Sequence, residues 1–156
     1  MVVVSKENAE VVRRSFAALD RAFDSYWASP RSIAAAIGAG DWPEWEEAFD
    51  YIHPDVEWQT VFLGETFRGR AEVARAWDDF LKWAEDYRPS LEEAEIFGDD
   101  RVFASVKLVG RGKGMRAGML MNARFYDVFT IRDGRIVRLE EYATRAEALE
   151  AAQLQG

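Results

Sequence analysis

The chain has 156 residues, of which 49% are hydrophobic and 13% aromatic, a composition typical of one globular domain with a substantial core. The formal net charge of −8 argues against a nucleic-acid partner or an anionic membrane surface, because both require a basic patch. The absence of Cys excludes a disulfide framework, a thiolate nucleophile and a Cys-ligated metal. No signal-type segment or membrane-length apolar run is present, so we expect a cytoplasmic protein without a membrane partner.

The first third of the chain, residues 6–52, is predicted to be helical. Ser5 is a candidate N-cap for the first helix, and a buried stripe at helical spacing follows it. The stripe consists of Val12, Phe16, Leu19, Phe23 and Tyr26 or Trp27. A short second helix is expected over 33–37 and a third over 43–52, where a His-Pro pair ends it.

The remaining residues, 56–156, are predicted to form a sheet that packs on helices. The expected elements are a strand over 56–62, a helix over 69–86, strands over 90–97 and 101–109, a glycine-rich turn over 110–114, a hairpin over 123–142 and a helix over 145–152 capped by Thr144. No repeat or linker divides the chain. We therefore expect a single domain, residues 1–156, of the α+β class, with a curved and mostly antiparallel sheet wrapped around the N-terminal helices.

The hairpin near the C-terminus is the most informative segment. Its turn contains Gly134, which can take the positive φ of a type I turn followed by a bulge. Because side chains alternate across a strand, one face of the hairpin carries Phe125, Asp127, Phe129, Val137, Leu139 and Glu141. This face is the apolar one and should point inward, yet it holds two carboxylates. Burying an acid is costly, so the pattern indicates a ligand, a shared proton or a hydrogen bond at Asp127 and Glu141.

The pairing of the two hairpin strands is an assumption with two versions. A three-residue loop places Asp127 opposite Leu139 and diagonal to Glu141. A two-residue loop would place Asp127 opposite Glu140 instead. We favour the first version, because the second mixes apolar and charged side chains on both faces.

Five segments together resemble the SnoaL-like group of the nuclear-transport-factor-like superfamily. They are 52–58 (IHPDVEW), 66–70 (TFRGR) ahead of a helix, 98–102 (GDDRV), 133–137 (DGRIV) and 142–148 (YATRAEA). The superfamily includes ketosteroid isomerase, limonene epoxide hydrolase and polyketide cyclases. The resemblance implies a cone-shaped fold with a central pocket between sheet and helices, often in a homodimer.

The resemblance also suggests roles for the two acids. Asp127 is similar to the protonated acid of ketosteroid isomerase, which donates to an enolate oxygen and requires a pKa raised by an apolar site. Glu141 is similar to the carboxylate of SnoaL-type cyclases and the water-activating Asp of the epoxide hydrolase. The isomerase base falls on or near Thr60, which cannot take a proton from carbon. Val106 and Leu108 stand where the hydrolase has its Arg-x-Asp pair, so both of those reactions are disfavoured.

Large side chains are expected to line the pocket around the acids. The candidates are Tyr26, Trp58, Thr60, Trp77, Phe80, Phe125, Phe129 and Leu139. Aromatic residues at helical spacing are also typical of plain core, so each one alone is a weak signal. His53, the only His, is interpreted as bonding a backbone group, with a general base as the alternative.

Two further expectations concern partners. One His and scattered acids give no metal-ligand spacing, so we expect neither a metal nor a cofactor. The outer face of the sheet suits a homodimer interface, since apolar and charged side chains alternate there. Its apolar members are Tyr126, Val128, Ile136 and Tyr142.

The resulting functional hypothesis is a protein that binds a hydrophobic, carbonyl-bearing small molecule. If it is an enzyme, the reaction is cofactor-free proton transfer, as in isomerisation or aldol-type cyclisation, with Glu141 as base and Asp127 as oxyanion donor. One alternative is a binding protein without chemistry. Another is a dimeric interaction module with a filled, vestigial pocket.

Overall fold

The computed structural model describes residues 2–60, 64–112 and 123–154, which form five helices and a six-stranded sheet. The helices are α1 (Val2–Ala28), α2 (Ile33–Ala39), α3 (Pro43–Asp50), α4 (Gly69–Leu81) and α5 (Arg145–Leu154). The strands are β1 (Ile52–Gln59), β2 (Thr66–Arg68), β3 (Ala84–Phe97), β4 (Arg101–Gly112), β5 (Arg124–Arg132) and β6 (Arg135–Tyr142). None of the helices in these ranges has the length and apolarity of a membrane span.

The sheet has the strand order β2-β1-β6-β5-β4-β3 and is antiparallel except for the β1–β6 pair. One face packs against α1, α3 and α4 and forms the main core. The other face is partly covered by α5, which packs on β4, β5 and β6. The predicted α+β class, with a curved and mostly antiparallel sheet on N-terminal helices, is confirmed.

The helical region follows the predicted stripe, but its boundaries differ. Val12 and Phe23 are fully buried, and α1 begins at Val2, so Ser5 lies inside the helix and does not cap it. The side chain of Ser32 caps α2 by accepting a hydrogen bond from the Ala35 N–H. The third helix ends at Asp50 and not at residue 52, because Ile52 pairs with β6 in the sheet.

The predicted helix over 69–86 was too long at its C-terminal end. It stops at Leu81, and β3 begins at Ala84. Ala84 continues the helical spacing of the apolar residues, but it pairs with Gly112 of β4, and Pro89 requires an extended residue before it. The long β3–β4 pairing therefore outweighs the local helical pattern.

Two other boundaries also differ, and one predicted cap is confirmed. β1 covers residues 52–59, whereas positions 61 and 62 of the predicted strand lie outside the described residues. Residues 110–112 of the predicted turn belong to β4, and residues 113 and 114 lie outside the described part. The predicted cap of α5 is confirmed, since Thr144 Oγ1 accepts a hydrogen bond from the Glu147 N–H at 3.2 Å.

The two-residue loop of the second predicted version is confirmed at the turn, but neither version gives the observed partner of Asp127. Asp133 and Gly134 both have positive φ, 51° and 76°, which is the two-residue type I′ loop. Beyond Ile131 and Ile136 the register shifts by one residue at Val137, a β-bulge. The bulge places Asp127 directly opposite Glu141.

Because of the bulge, the side chains of Leu139 and Glu141 point to the interior of the fold. Phe125, Asp127, Phe129, Leu139 and Glu141 all line the interior, as the sequence pattern predicts. Ile136 also points inward and takes the place predicted for Val137.

Part of the outer face predicted as a dimer interface is covered within this chain. Val128 is fully buried beneath α5, with Tyr126 and Tyr142 packed against the same cluster. Ile136 belongs to the main core on the other side of the sheet. The C-terminal helix therefore covers part of the predicted surface, and Ile136 does not belong to it, while the homodimer itself stays a prediction.

Gly110 permits the close approach of β4 to β3 beside Tyr87. A Cβ at Gly110 would lie 2.7 Å from the Tyr87 Cα, and the φ of Gly110 is +143°. The facing strand is irregular at the same level, since Asp86 has a φ of 53° and the register shifts between Glu85 and Arg88. This irregularity accompanies the inward placement of the Tyr87 ring.

Replacement of Gly110 by Ala is expected to lower the free energy of unfolding by about 1–3 kcal/mol, because the backbone of Tyr87 must move or the chain must hold a strained φ. The matched control is Gly38→Ala in α2, where nothing lies within 4 Å of an added Cβ. That change should raise stability by about 0.5–1 kcal/mol. Urea denaturation followed by Trp fluorescence measures both, and similar effects of the two substitutions would contradict the close approach.

Candidate functional site

A cavity of about 90 Å³ lies between the inward face of the sheet and helices α1, α3 and α4. Its lining is mainly apolar and aromatic. The largest contributors are Phe16, Phe49, Trp58, Val73, Trp77, Tyr87, Leu108, Phe125, Phe129 and Leu139. Asp127 and Glu141 also line it, and they are the only charged side chains among the described residues that do so.

The two carboxylates are positioned by the hairpin. Asp127 of β5 and Glu141 of β6 are directly opposite each other on neighbouring antiparallel strands. Side chains at such positions have Cβ atoms roughly 4.5–5.5 Å apart, so two acids there interact strongly. The carboxyl groups therefore form one coupled unit at the wall of an apolar cavity.

Asp127 is held in an environment that disfavours its charge. The residue is 4% exposed, and its Oδ1 has no hydrogen-bond partner among the described residues. Burial raises the pKa of Asp127 well above its usual range, and the nearby Glu141 carboxylate raises it further. The carboxyl group therefore favours its protonated form, in which it can donate a hydrogen bond.

Tyr87 is a further polar group at the cavity that the sequence pattern did not indicate. Burial raises the pKa of its hydroxyl well above the ordinary value, and the charges of Glu141 and Asp127 add to that effect. The hydroxyl thus stays protonated close to both acids. Residues 82–86 were predicted to be helical, so Tyr87 was not placed on a strand that faces the cavity. The Pro at position 89 was a signal that the residues before it are extended.

A second, smaller cavity of about 30 Å³ adjoins the first. The two share Trp58, Trp77, Tyr87 and Glu141, and Thr60, Ala76 and Phe80 complete the smaller one. The ring centroids of Trp58 and Trp77 lie 5.5 Å apart, and those of Phe80 and Tyr87 lie 4.6 Å apart. Glu141 thus contributes to both cavities beside a continuous group of aromatic rings.

The predicted pocket residues fall into three groups. Trp58, Trp77, Phe125, Phe129 and Leu139 line the larger cavity, and Thr60 and Phe80 line the smaller one. Tyr26 lines neither. Its ring packs against Trp27 and stacks on Trp42, with centroid distances of 4.8 and 6.2 Å, so it belongs to the helical core.

His53 lies away from the two acids, on a groove of the outer sheet face. Its Nδ1 accepts a hydrogen bond of 3.0 Å from the Asp55 N–H, which confirms the predicted bond to a backbone group. Within the described ranges, no three His, Asp or Glu side chains are grouped so that they could hold a metal ion.

The chain belongs to the SnoaL-like family. The family profile described as "SnoaL-like domain" matches residues 31–139, which is most of the chain. This result confirms the resemblance drawn from the sequence segments. No curated protein sequence matches the chain.

Several solved structures share the fold. Bal32a, from a soil-derived mobile gene cassette, aligns with a TM-score of 0.62 at 17% identity, over 95% of this chain and 97% of that chain. An NTF2-like protein of unknown function from Burkholderia pseudomallei aligns with a TM-score of 0.59 at 20% identity, over 92% and 95%. A protein assigned as a polyketide cyclase from Sinorhizobium meliloti aligns with a TM-score of 0.51 at 25% identity, over 71% and 90%.

The raised pKa of Asp127 predicts a pH-dependent cost of folding. The unfolded Asp ionises near ~3.9, whereas the folded group keeps its proton to higher pH, so its contribution to stability falls as pH rises between the two values. Asp127→Asn removes this titration. Its stability relative to the parent should therefore rise by about 1.4 kcal/mol per pH unit in that window and level off above it.

Urea denaturation at a series of pH values measures this difference. Asp99→Asn is the matched control, because Asp99 is exposed in the turn between β3 and β4. A stability difference between Asp127→Asn and the parent that does not change with pH would show that Asp127 is ionised in the folded protein.

Proposed function

We propose that the protein binds a small, uncharged ring compound bearing a carbonyl group and transfers a proton at the carbon next to that carbonyl. The observation that carries this proposal is the directly opposed pair of Asp127 and Glu141 at the wall of an apolar cavity. Family membership and the fold are consistent with it, but the chemistry is argued from the residues of this chain.

Two close carboxyl groups in an apolar site take up different protonation states. Burial and mutual repulsion oppose ionisation of both, so one proton is retained by the pair at a pH where an isolated acid has lost it. Asp127 is the buried member with the raised pKa and is assigned the retained proton. Glu141, which contributes to both cavities, is assigned the role of base.

The proposed reaction needs only these groups. The ligand oxygen accepts a hydrogen bond from the Asp127 carboxyl, and Glu141 removes a proton from the adjacent carbon, leaving an enolate. The negative charge that develops on oxygen is stabilised by Asp127, with the Tyr87 hydroxyl as a second donor at the same cavity. Glu141 then returns the proton to another carbon, or, where the enolate carbon attacks a second carbonyl and closes a ring, gives it to the alkoxide oxygen that forms.

The size and charge of the cavity restrict the ligand. A volume of about 90 Å³ accommodates roughly six to nine water-sized spheres, which suits one ring and not a fused four-ring system. The described lining holds the carboxyl groups of Asp127 and Glu141 and no cationic side chain. The cavity therefore disfavours an anionic ligand. The aromatic rings suit a flat, apolar body.

A binding protein without chemistry is the second candidate function. The identity of residue 60 favours it. Thr60 lines the smaller cavity, at the position where the resemblance to ketosteroid isomerase implies a base. A hydroxyl there can hold a ligand but cannot remove a proton from carbon.

Hydrogen–deuterium exchange tests the proposed proton transfer without knowledge of the natural substrate. Cyclohexanone in D₂O should exchange the hydrogens next to its carbonyl faster with the protein than in buffer, as followed by proton NMR. Glu141→Gln should reduce the added rate by about 10²–10⁴-fold through loss of the base. Asp127→Asn should reduce it by about 10²–10³-fold through loss of an oxyanion donor.

Glu140→Gln is the matched control. Glu140 is also buried, but on the opposite face of the sheet, where the Tyr142 hydroxyl donates to its Oε2 at 2.7 Å. Exchange should survive this change. Exchange that persists in both Glu141→Gln and Asp127→Asn would overturn the assignment, whereas saturable Trp quenching by the ketone without exchange would favour the binding protein.

A further inference from the structure

A second concave site lies on the outer face of the sheet, at the hairpin end. It is a groove of about 790 Å³, on the side of the sheet opposite the cavity with Asp127 and Glu141. Four arginines line it, namely Arg101, Arg132, Arg135 and Arg138. This concentration of positive charge stands out in a chain whose net charge is −8.

The strand register builds the centre of the groove. Arg101 of β4 is paired with Thr130 of β5, which is in turn paired with Arg138 of β6. Neighbouring strands are about 4.8 Å apart, so the two arginine side chains flank Thr130 from either side. The Val137 bulge produces this pairing, since without it Thr130 would face a different residue.

The Thr130 hydroxyl at this centre has no hydrogen-bond partner among the described residues, although Thr130 is only 3% exposed. The buried Nε of Arg138 has no hydrogen bond there either, and its nearest acidic group is the Oε1 of Glu140 at 3.7 Å. Buried polar groups are nearly always satisfied, so the Thr130 hydroxyl on the floor of the groove indicates a ligand atom that accepts from it.

The hairpin end adds two positive charges to the groove, those of Arg132 and Arg135. Arg132 and Arg135 are directly opposite each other, an arrangement that costs stability through repulsion. Arg101 pairs with Asp100 at 2.7 Å, and Arg138 lies 3.7 Å from Glu140, but neither Arg132 nor Arg135 forms an ion pair within the described residues. A bound anion would relieve the repulsion.

The acidic residues of the groove limit the kind of anion. Asp55, Glu57 and Asp133 also line it. They would repel an extended polyanion, whereas a compact anion can sit above Thr130 between the flanking arginines.

We propose that this groove binds the phosphate group of a small molecule, held by Arg101 and Arg138 on either side of Thr130 and by Arg132 and Arg135 at the hairpin end. Guanidinium groups match phosphate oxygens through pairs of parallel hydrogen bonds. The Thr130 hydroxyl supplies a further donor at the buried floor. The site is on the other face of the sheet from the cavity and does not depend on the proposed proton transfer.

The test is calorimetric titration with inorganic phosphate and with phenyl phosphate, compared with sodium chloride at equal ionic strength. Both phosphates should bind saturably, and chloride should not. Thr130→Val removes an unsatisfied hydroxyl at nearly constant shape, so it should fold and yet bind phosphate at least about tenfold more weakly. Arg135→Gln should weaken binding to a similar extent.

Arg13→Gln is the matched control, since Arg13 is an exposed arginine on α1 and the change in net charge is the same. Phosphate binding that is absent, or that weakens equally in Arg13→Gln, overturns the proposal. Sedimentation that shows a dimer dissociated by both Thr130→Val and Arg135→Gln also overturns it, because carboxylates of a second copy would then occupy the groove.

Discussion

The bulge at Val137 determines which side chains face each other across the last hairpin, and the two candidate sites depend on this pairing. On the inner face it places Asp127 opposite Glu141, and on the outer face it places Thr130 opposite Arg138. A register without the extra residue would move every later side chain of β6 to the other face of the sheet. Glu141 would then leave the cavity, and the acid pair would not form.

The packing of the core must offset the free-energy cost of burying Asp127 beside Glu141. A buried acid whose pKa is raised by burial and by a second acid lowers stability as pH rises above the ordinary Asp pKa. The surrounding core is rich in aromatic rings that contact one another, as in the packing of Phe23 on Trp45, Trp77 and Tyr87 with centroid distances of 5.1–5.8 Å. Burial of such large side chains supplies the favourable term that allows a costly polar pair to persist. Maintenance of a pair that destabilises the fold is typical of functional sites.

Much of the fold could be predicted from the periodicity of the sequence. The buried stripe of α1 and the alternation along β4 follow directly from apolar spacing, and the inward position of Asp127 and Glu141 follows from the hairpin pattern. The register could not be predicted, because the bulge falls at a Val and not at a Gly or Pro that would mark it. Tyr87 was missed because Ala84 continued the helical pattern of α4 past the true end of the helix. The outer groove was missed because Arg101 and Arg138 become neighbours only once three strands are paired.

The acid pair depends on Asp127 keeping its proton to a higher pH than an ordinary Asp, because burial and the neighbouring Glu141 oppose its ionisation. Carboxyl-detected NMR titration of the labelled protein measures this directly, with the Asp127 signal assigned through Asp127→Asn. The Asp127 carboxyl carbon should titrate above the ordinary Asp range, and its midpoint should fall when Glu141 is replaced by Gln, since that change removes the neighbouring charge. A midpoint near ~3.9 that does not respond to Glu141→Gln would mean an ionised, solvated Asp127 and would contradict the proposed acid pair.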